Sequence, residues 1–213
     1  MPYLKLESIL LLWRCIQVVV LELDDSYKYV EKRLGDLKSK TPKVIAKSIN
    51  ETAAWARREI AQEAQKTYTV KTSKGFNGSM TIKKANYGSL EAIIGSKGKT
   101  IPLAHYTHAN RKKSGTKVKV LNSSVLKTLI FNGKKAFFNK IGWNSGHTGV
   151  AQRTGEKMKK NPKKEAIKEL FGPSIPSMLG NERRVYGIVE PKINDYLQKQ
   201  IDRHIEKVIG GKE

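Results

Sequence analysis

The chain has one cysteine, Cys15, in 213 residues. No disulfide can close within it, so the expected setting is intracellular and reducing. Carboxylates are almost as scarce in the middle of the chain: residues 67–165 hold only Glu91, Glu156 and Glu165. Metal-dependent phosphodiester cleavage needs clustered carboxylates to hold the ion, and this stretch has no such cluster. Long apolar runs are missing too. SILLLWRCIQVVVLEL (8–23) is broken by Arg14 and runs into Glu22, Asp24 and Asp25, well short of the roughly 20 apolar residues of a membrane span. No small-residue cleavage site follows it, so a signal peptide is not expected. Catalytic motifs are equally sparse. His105 and His108 lack a third ligand nearby, and Ser174 lacks the glycine spacing of a nucleophile elbow. GSKGK (95–99) lacks the Gly-Lys-Ser/Thr of a phosphate loop. The expectation is a protein with no catalytic residues, no metal, no cofactor and no membrane association.

What the chain has is positive charge: 41 Lys and Arg against 19 Asp and Glu, a formal +22. It is unevenly placed, with +3 over residues 1–66, +18 over 67–165 and +1 over 166–213. Solubility needs no such concentration, whereas a polyanion facing one part of the fold does. The simplest such partner is nucleic acid, with an anionic membrane surface or a merely solvated basic face as the alternatives. Lys83, Lys84, Arg111, Lys112, Lys113, Lys117, Lys119 and Arg153 are the expected nucleic-acid-facing residues. The aromatics are scattered, without the stacking pattern of a single-strand reader.

The periodicities predict an α+β fold, an antiparallel sheet of short strands packed by a long N-terminal helix and a C-terminal amphipathic helix. Residues 1–15 are expected to be an added leader from an upstream start codon, and 16–213 a single domain. CIQVVVLEL (15–23) reads as a strand, and SYKYVEKRLGDLK (26–38) as a short helix. Thr41-Pro42 opens a helix of about 24 residues, with Thr41 as its cap. Ile45, Ile49, Ala53, Ala56, Ile60 and Ala64 form its buried stripe. TYTVKTS, SMTIKKA, LEAIIGS, KTIPLAHY and TKVKVLNS read as strands, with Lys alternating against apolar residues in the second and last. NRKKSGTK (110–117) and RTGEKMKKNPKK (153–164) read as exposed basic loops, and KEAIKEL as helical. Ile193, Leu197, Ile201, Ile205 and Val208 mark the apolar face of the terminal helix.

One segment stands apart, the uncharged FGPSIPSMLG (171–180) inside a charged neighbourhood. Pro173 and Pro176 stiffen it, and Phe171, Ile175, Met178 and Leu179 make it apolar. Two roles are open. It can anchor a neighbouring subunit, a preformed segment losing little entropy on docking, or it can cover the protein's own sheet.

Four segments together resemble the prophage minor tail protein Z family, the Z-type tail completion proteins of long-tailed phages. These are SINETAAWARREIAQE (48–63), SMTIKKANYGSLEAII with KTIPLAHY, GHTGVAQRTG (146–155) and KELFGPSIPSML (168–179). The resemblance runs from about residue 16 to the end and is weakest over 107–145. It implies a non-enzymatic virion component assembled in the bacterial host cytoplasm at the head-proximal end of the tail. Its partners would be other tail and neck proteins, further copies of itself in a ring, and the DNA entering the tail. The basic residues would then face the DNA passage and touch the phosphates of double-stranded DNA, independent of sequence and weakened by salt, and Phe171, Pro173, Ile175, Pro176, Met178 and Leu179 would form a subunit interface. Within the GHTG box, Gly146 and Gly149 suit tight turns, and His147 and Arg153 suit hydrogen bonds across a strand end or to phosphate. The alternative is a sequence-independent nucleic-acid-binding protein outside any virion.

Overall fold

The computed structural model describes residues 16–22, 25–111, 115–141 and 147–211; the expected leader lies outside them. The chain is α+β. It opens with strand β1 (Ile16–Glu22), helix α1 (Asp25–Leu34), a 3₁₀ segment (Gly35–Lys40) and the 27-residue helix α2 (Thr41–Thr67). Strands β2 (Met80–Lys83), β3 (Glu91–Ser96), β4 (Thr100–Pro102), β5 (Thr107–Arg111) and β6 (Gly115–Lys119) follow. Next come the short β7 (Lys127–Thr128), β8 (Ile130–Phe131), β9 (Lys134–Lys135) and β10 (Phe137–Lys140), then the long β11 (Thr148–Met158) and β12 (Asn161–Glu169). Strand β13 (Phe171–Ser174), helix α3 (Ile175–Leu179) and helix α4 (Tyr186–Ile209) close the chain.

Where the sequence suggested one domain, the chain divides into two compact units. The first holds the described residues up to Ala64, Lys74–Gly98 and everything from Pro176 onward; the second holds Gln65–Ser73 and Lys99–Ile175. The division separates secondary structure as well. The first unit carries α1, α4, nearly all of α2 and α3, and one three-stranded antiparallel sheet in the order β1-β3-β2. The second carries the remaining strands.

In the first unit the stripe of α2 behaves as its spacing predicts: Ile45, Ile49, Ala53, Ala56, Ile60 and Ala64 are all fully buried. Three alanines in that stripe leave room for close approach. Helix α4 buries Val189, Ile193, Leu197, Ile201 and Ile205, while Val208 is half-buried. The two helices meet through Trp55 and Tyr196, whose rings stack 4.4 Å apart. Tyr29 of α1 donates a hydrogen bond to Asp202 Oδ1 of α4 at 2.8 Å. Asn50 acts as a strand surrogate: its Nδ2 donates to the Ala85 carbonyl at 2.9 Å, and its Oδ1 accepts the Ala85 N–H at 2.8 Å.

Thr41 is not the cap expected of it. Gly35 at φ +53 ends α1, and the 3₁₀ segment leads straight into α2. Thr41 therefore already has helical angles, and its Oγ1 is buried without a hydrogen-bond partner. TYTVKTS is not a strand either. Helix α2 runs on to Thr67, and only Tyr68 forms a bridge, to Leu121. That junction has a cap the sequence did not advertise: Asn122 Nδ2 donates to the Lys66 carbonyl at 2.8 Å and Asn122 N–H to the Thr67 carbonyl at 2.8 Å.

In the second unit the sheets run in the orders β5-β6-β7, β8-β9, β10-β11-β12 and β13-β4. Single backbone bonds stitch them together. Thr116 N–H donates to Ala136 O, Leu170 N–H to Val150 O, and Leu103 N–H to Leu170 O, at 2.8–2.9 Å. Two expectations change here. Residues 153–164 are the outer part of the β11–β12 hairpin, not a loop, and KEAIKEL lies mostly in β12, not in a helix. Glu165, Ile167 and Glu169 pair across to Lys157, Arg153 and Ala151. The hydrogen bonds of that ladder outweigh the weak helical preference of a seven-residue segment.

Candidate nucleic-acid interface

The charge follows the division of the fold. The second unit, 86 residues, carries 19 Lys and Arg against three Asp and Glu, a net +16 of the chain's +22; the first unit carries 22 against 16, a net +6. The three carboxylates of the second unit are Glu156, Glu165 and Glu169, and two of them are engaged. Glu165 pairs with the Lys134 ammonium, with Arg153 Nη1 4.0 Å from its other oxygen. The Lys134 bond holds the Glu165 carboxyl below its ordinary range. Glu169 Oε1 lies 2.8 Å from His147 Nε2.

The expected nucleic-acid-facing residues are divided between the two units. Lys83 ends β2 and Lys84 follows it; both are exposed, but both belong to the first unit. Lys117 and Lys119 project from one face of β6 while Thr116 and Val118 are buried on the other, the alternation of a half-packed strand. Arg111 ends β5 opposite Gly115; Lys112 and Lys113 lie outside the described residues. Arg153 is exposed, with its guanidinium 5.8 Å from the Phe137 ring centroid and beside Glu165.

Among the described residues, an exposed concentration of lysines lies where the sequence pattern gives only a basic loop. At the root of the β11–β12 hairpin, Gly149, Val150, Ala151 and Gln152 are buried; from Gly155 to Lys160 every residue is exposed, and so are Pro162, Lys163 and Lys164. Five lysines, 157, 159, 160, 163 and 164, share this outer part with one carboxylate, Glu156. The hairpin is irregular. Gly155, at φ +93, sits where β11 gains residues relative to β12, between the pairs Arg153–Ile167 and Lys157–Glu165. The next pair, Met158–Asn161, leaves Pro162-Lys163-Lys164 bulged out of register. Asn161 Oδ1 accepts the Lys163 N–H at 3.2 Å and holds the bulge. The signal in the sequence was Lys-Lys-Asn-Pro, a turn with basic flanks.

The expected interface segment serves this chain's own interior. Gly172 lies against Tyr106, where a Cβ would meet the ring at 2.7 Å. The Tyr106 hydroxyl donates to the Pro173 carbonyl at 2.8 Å, and burial pushes that phenol's pKa up. Pro173 is half-buried, while Ile175, Pro176, Met178 and Leu179 are buried. Four of the six residues expected at an interface are thus core. Phe171, 50 % exposed, is the large apolar side chain of the segment left at the surface. The more exposed apolar side chains of the second unit lie elsewhere, at Val125, Ile130 and Phe131.

In the GHTG box, Gly149 is constrained by contact, not by turn geometry. A Cβ there would lie 2.5 Å from Glu169 Oε1 and 2.6 Å from Ile141 Cδ1. Gly146 lies outside the described residues. His105 is exposed, and His108 stacks on Phe138 at 5.0 Å. Among the described residues, no three His, Cys, Asp or Glu side chains gather as a metal site would require, and no helix is long and apolar enough to cross a membrane.

Fold and site together define an α+β protein with a polycationic β unit. Comparison with family models, with curated proteins and with solved structures finds no match.

Proposed function

We propose that the protein is a structural, nucleic-acid-facing component of a tailed-phage virion, completing the head-proximal end of the tail, with the β unit turned toward the DNA. The observation that carries the nucleic-acid part is the net +16 of that unit, where two of three carboxylates are already paired. A fold that concentrates most of its net positive charge in one unit has the electrostatic form of a polyanion-binding surface. Contacts of this kind are sequence-independent, and a passage for DNA needs that, since it must accept every sequence that moves through it. The virion part rests on the resemblance of KELFGPSIPSML and the GHTG box to the Z-type tail completion proteins.

The test has two arms. Binding to duplexes of unrelated sequence, followed by fluorescence anisotropy, should show equal affinities that fall by orders of magnitude between about 50 and 200 mM salt. In lysates of a producing host, the protein should sediment with tail particles. Binding without sedimentation would move the reading to a free nucleic-acid-binding protein. No binding at low salt would remove the nucleic-acid role.

A further inference from the structure

Within the β unit, one element is built differently from the rest of the basic surface. The β11–β12 ribbon carries five lysines in the ten residues 155–164, all five exposed, against Glu156 alone. Its other nearby carboxylate, Glu165, is held by Lys134 and flanked by Arg153. Among the described residues, none of these five ammonium groups pairs with a carboxylate.

The ordinary reason for lysines on a hairpin is protection of an edge strand. It explains Lys163 and Lys164, because β12 is at the edge of its sheet. It covers Lys157 too, because β10 pairs with β11 only as far as Ala151 and leaves the outer part of β11 an edge; it does not explain Lys159 and Lys160, which make the turn. Alternation along a regular strand would also send successive lysines to opposite faces. The bulge at 162–164 breaks that alternation and exposes two consecutive lysines together.

We propose that this ribbon, residues 155–164, is an arm that enters a groove of double-stranded nucleic acid, with Lys157, Lys159, Lys160, Lys163 and Lys164 on the flanking phosphates. The dimensions agree. Two paired strands are about 5 Å apart, and a major groove about 12 Å wide admits a two-stranded ribbon. By its register the ribbon runs roughly 10 Å beyond the Arg153–Ile167 pair, two residues of β12 and then one of β11 at about 3.3 Å each. Arg153 and Lys134 brace the base through Glu165, so the cations at the tip are carried by a structured element.

The inference rests on the nucleic-acid reading above, and one titration separates the two. Wild-type protein and the triple variant K159Q/K160Q/K163Q are bound to a duplex of about 20 base pairs, roughly two turns, across a salt series. K28Q/K32Q/K38Q, three exposed lysines of the first unit, serves as a control of equal charge loss. Each lost phosphate contact should lower the slope of log affinity against log salt by about 1. The arm variant should therefore lose about 2 to 3 in slope, with affinity down tenfold or more near 100 mM salt, while the control stays close to wild type. Circular dichroism and the melting temperature keep folding in view, and single substitutions at Lys159 and Lys160 replace the triple if it unfolds. Equal losses in arm variant and control would overturn the arm and leave the general reading intact. So would an arm that shifts binding to polyglutamate but not to the duplex, which would mark an acidic protein partner. A wild type that binds no duplex removes both.

Discussion

His204 is the residue whose surroundings set the clearest condition on the fold. It sits on the inner face of α4, 6 % exposed, with Nε2 3.3 Å from Glu51 Oε1 but without hydrogen-bond alignment. Burial lowers its pKa below the ordinary value; Glu51 opposes that shift, and Lys207 and Arg203 add to it. The imidazole is therefore more easily protonated in the unfolded chain than in the folded one. Above about pH 6.5 both states are neutral and the site is indifferent to pH. As pH falls below that, the unfolded state takes up the proton first, and stability drops by at most about 1.4 kcal/mol per pH unit until the folded-state pKa is passed. Urea midpoints measured from about pH 7.5 to 5.5 should fall for the wild type and fall less for His204→Gln. Parallel curves for the two proteins would assign the loss to other groups.

At the scale of elements, Asn50 shows how a helix is tied to a turn. Its amide completes both hydrogen bonds of the Ala85 backbone, and Ala85 is itself buried. Asn50→Ala strands a buried N–H and a buried C=O, at a cost of about 1–3 kcal/mol, which the urea midpoint reads directly. Asn50→Asp keeps the acceptor but turns a carboxylate oxygen on the Ala85 carbonyl, so it should also be destabilised; an Asn50→Ala variant as stable as wild type would mean the amide is not the tie. No pattern in the sequence foretold this bond, because Asn50 and Ala85 are 35 positions apart and polar side-chain pairing has no period. What does have a period was legible: the α2 stripe, the α4 face, the alternation in β6, and the strands around Val19 and Ile94. The β11–β12 hairpin was not. Its bulges break the two-residue rhythm, and its lysines look the same in a solvated loop as on an ordered ribbon. The charge of the candidate site could thus be read from composition, while its arrangement waited for the pairing of Lys157 with Glu165 and Met158 with Asn161. FGPSIPSML could be read as stiff and apolar, but which side of the protein surface it would take depended on Tyr106, another element's side chain lying over Gly172.

At the scale of the molecule, the dominant fact is charge without compensation. With 19 cations and three anions in 86 residues, the β unit holds like charges closer together when folded than when unfolded, and this self-repulsion opposes the compact state. Among the described residues, the attractive pairs of Lys134 and Arg153 with Glu165 and of His147 with Glu169 are local and outnumbered. Screening acts on both kinds of interaction, over a distance of about 30 Å at 0.01 M ionic strength and about 10 Å at 0.1 M. Long-range repulsion among many lysines is therefore removed first. The melting temperature should rise as salt goes from about 10 to 100 mM, opposite to a fold held by surface ion pairs. The five Lys→Gln changes on the ribbon together should raise the low-salt melting temperature and flatten its salt dependence, since they remove repulsion and break no pair. A melting temperature that falls with salt would mean that the attractive contacts dominate and that the cations are already balanced within the fold. The rising curve would instead describe a unit whose stability is completed from outside, by the phosphates beside which its lysines are proposed to lie.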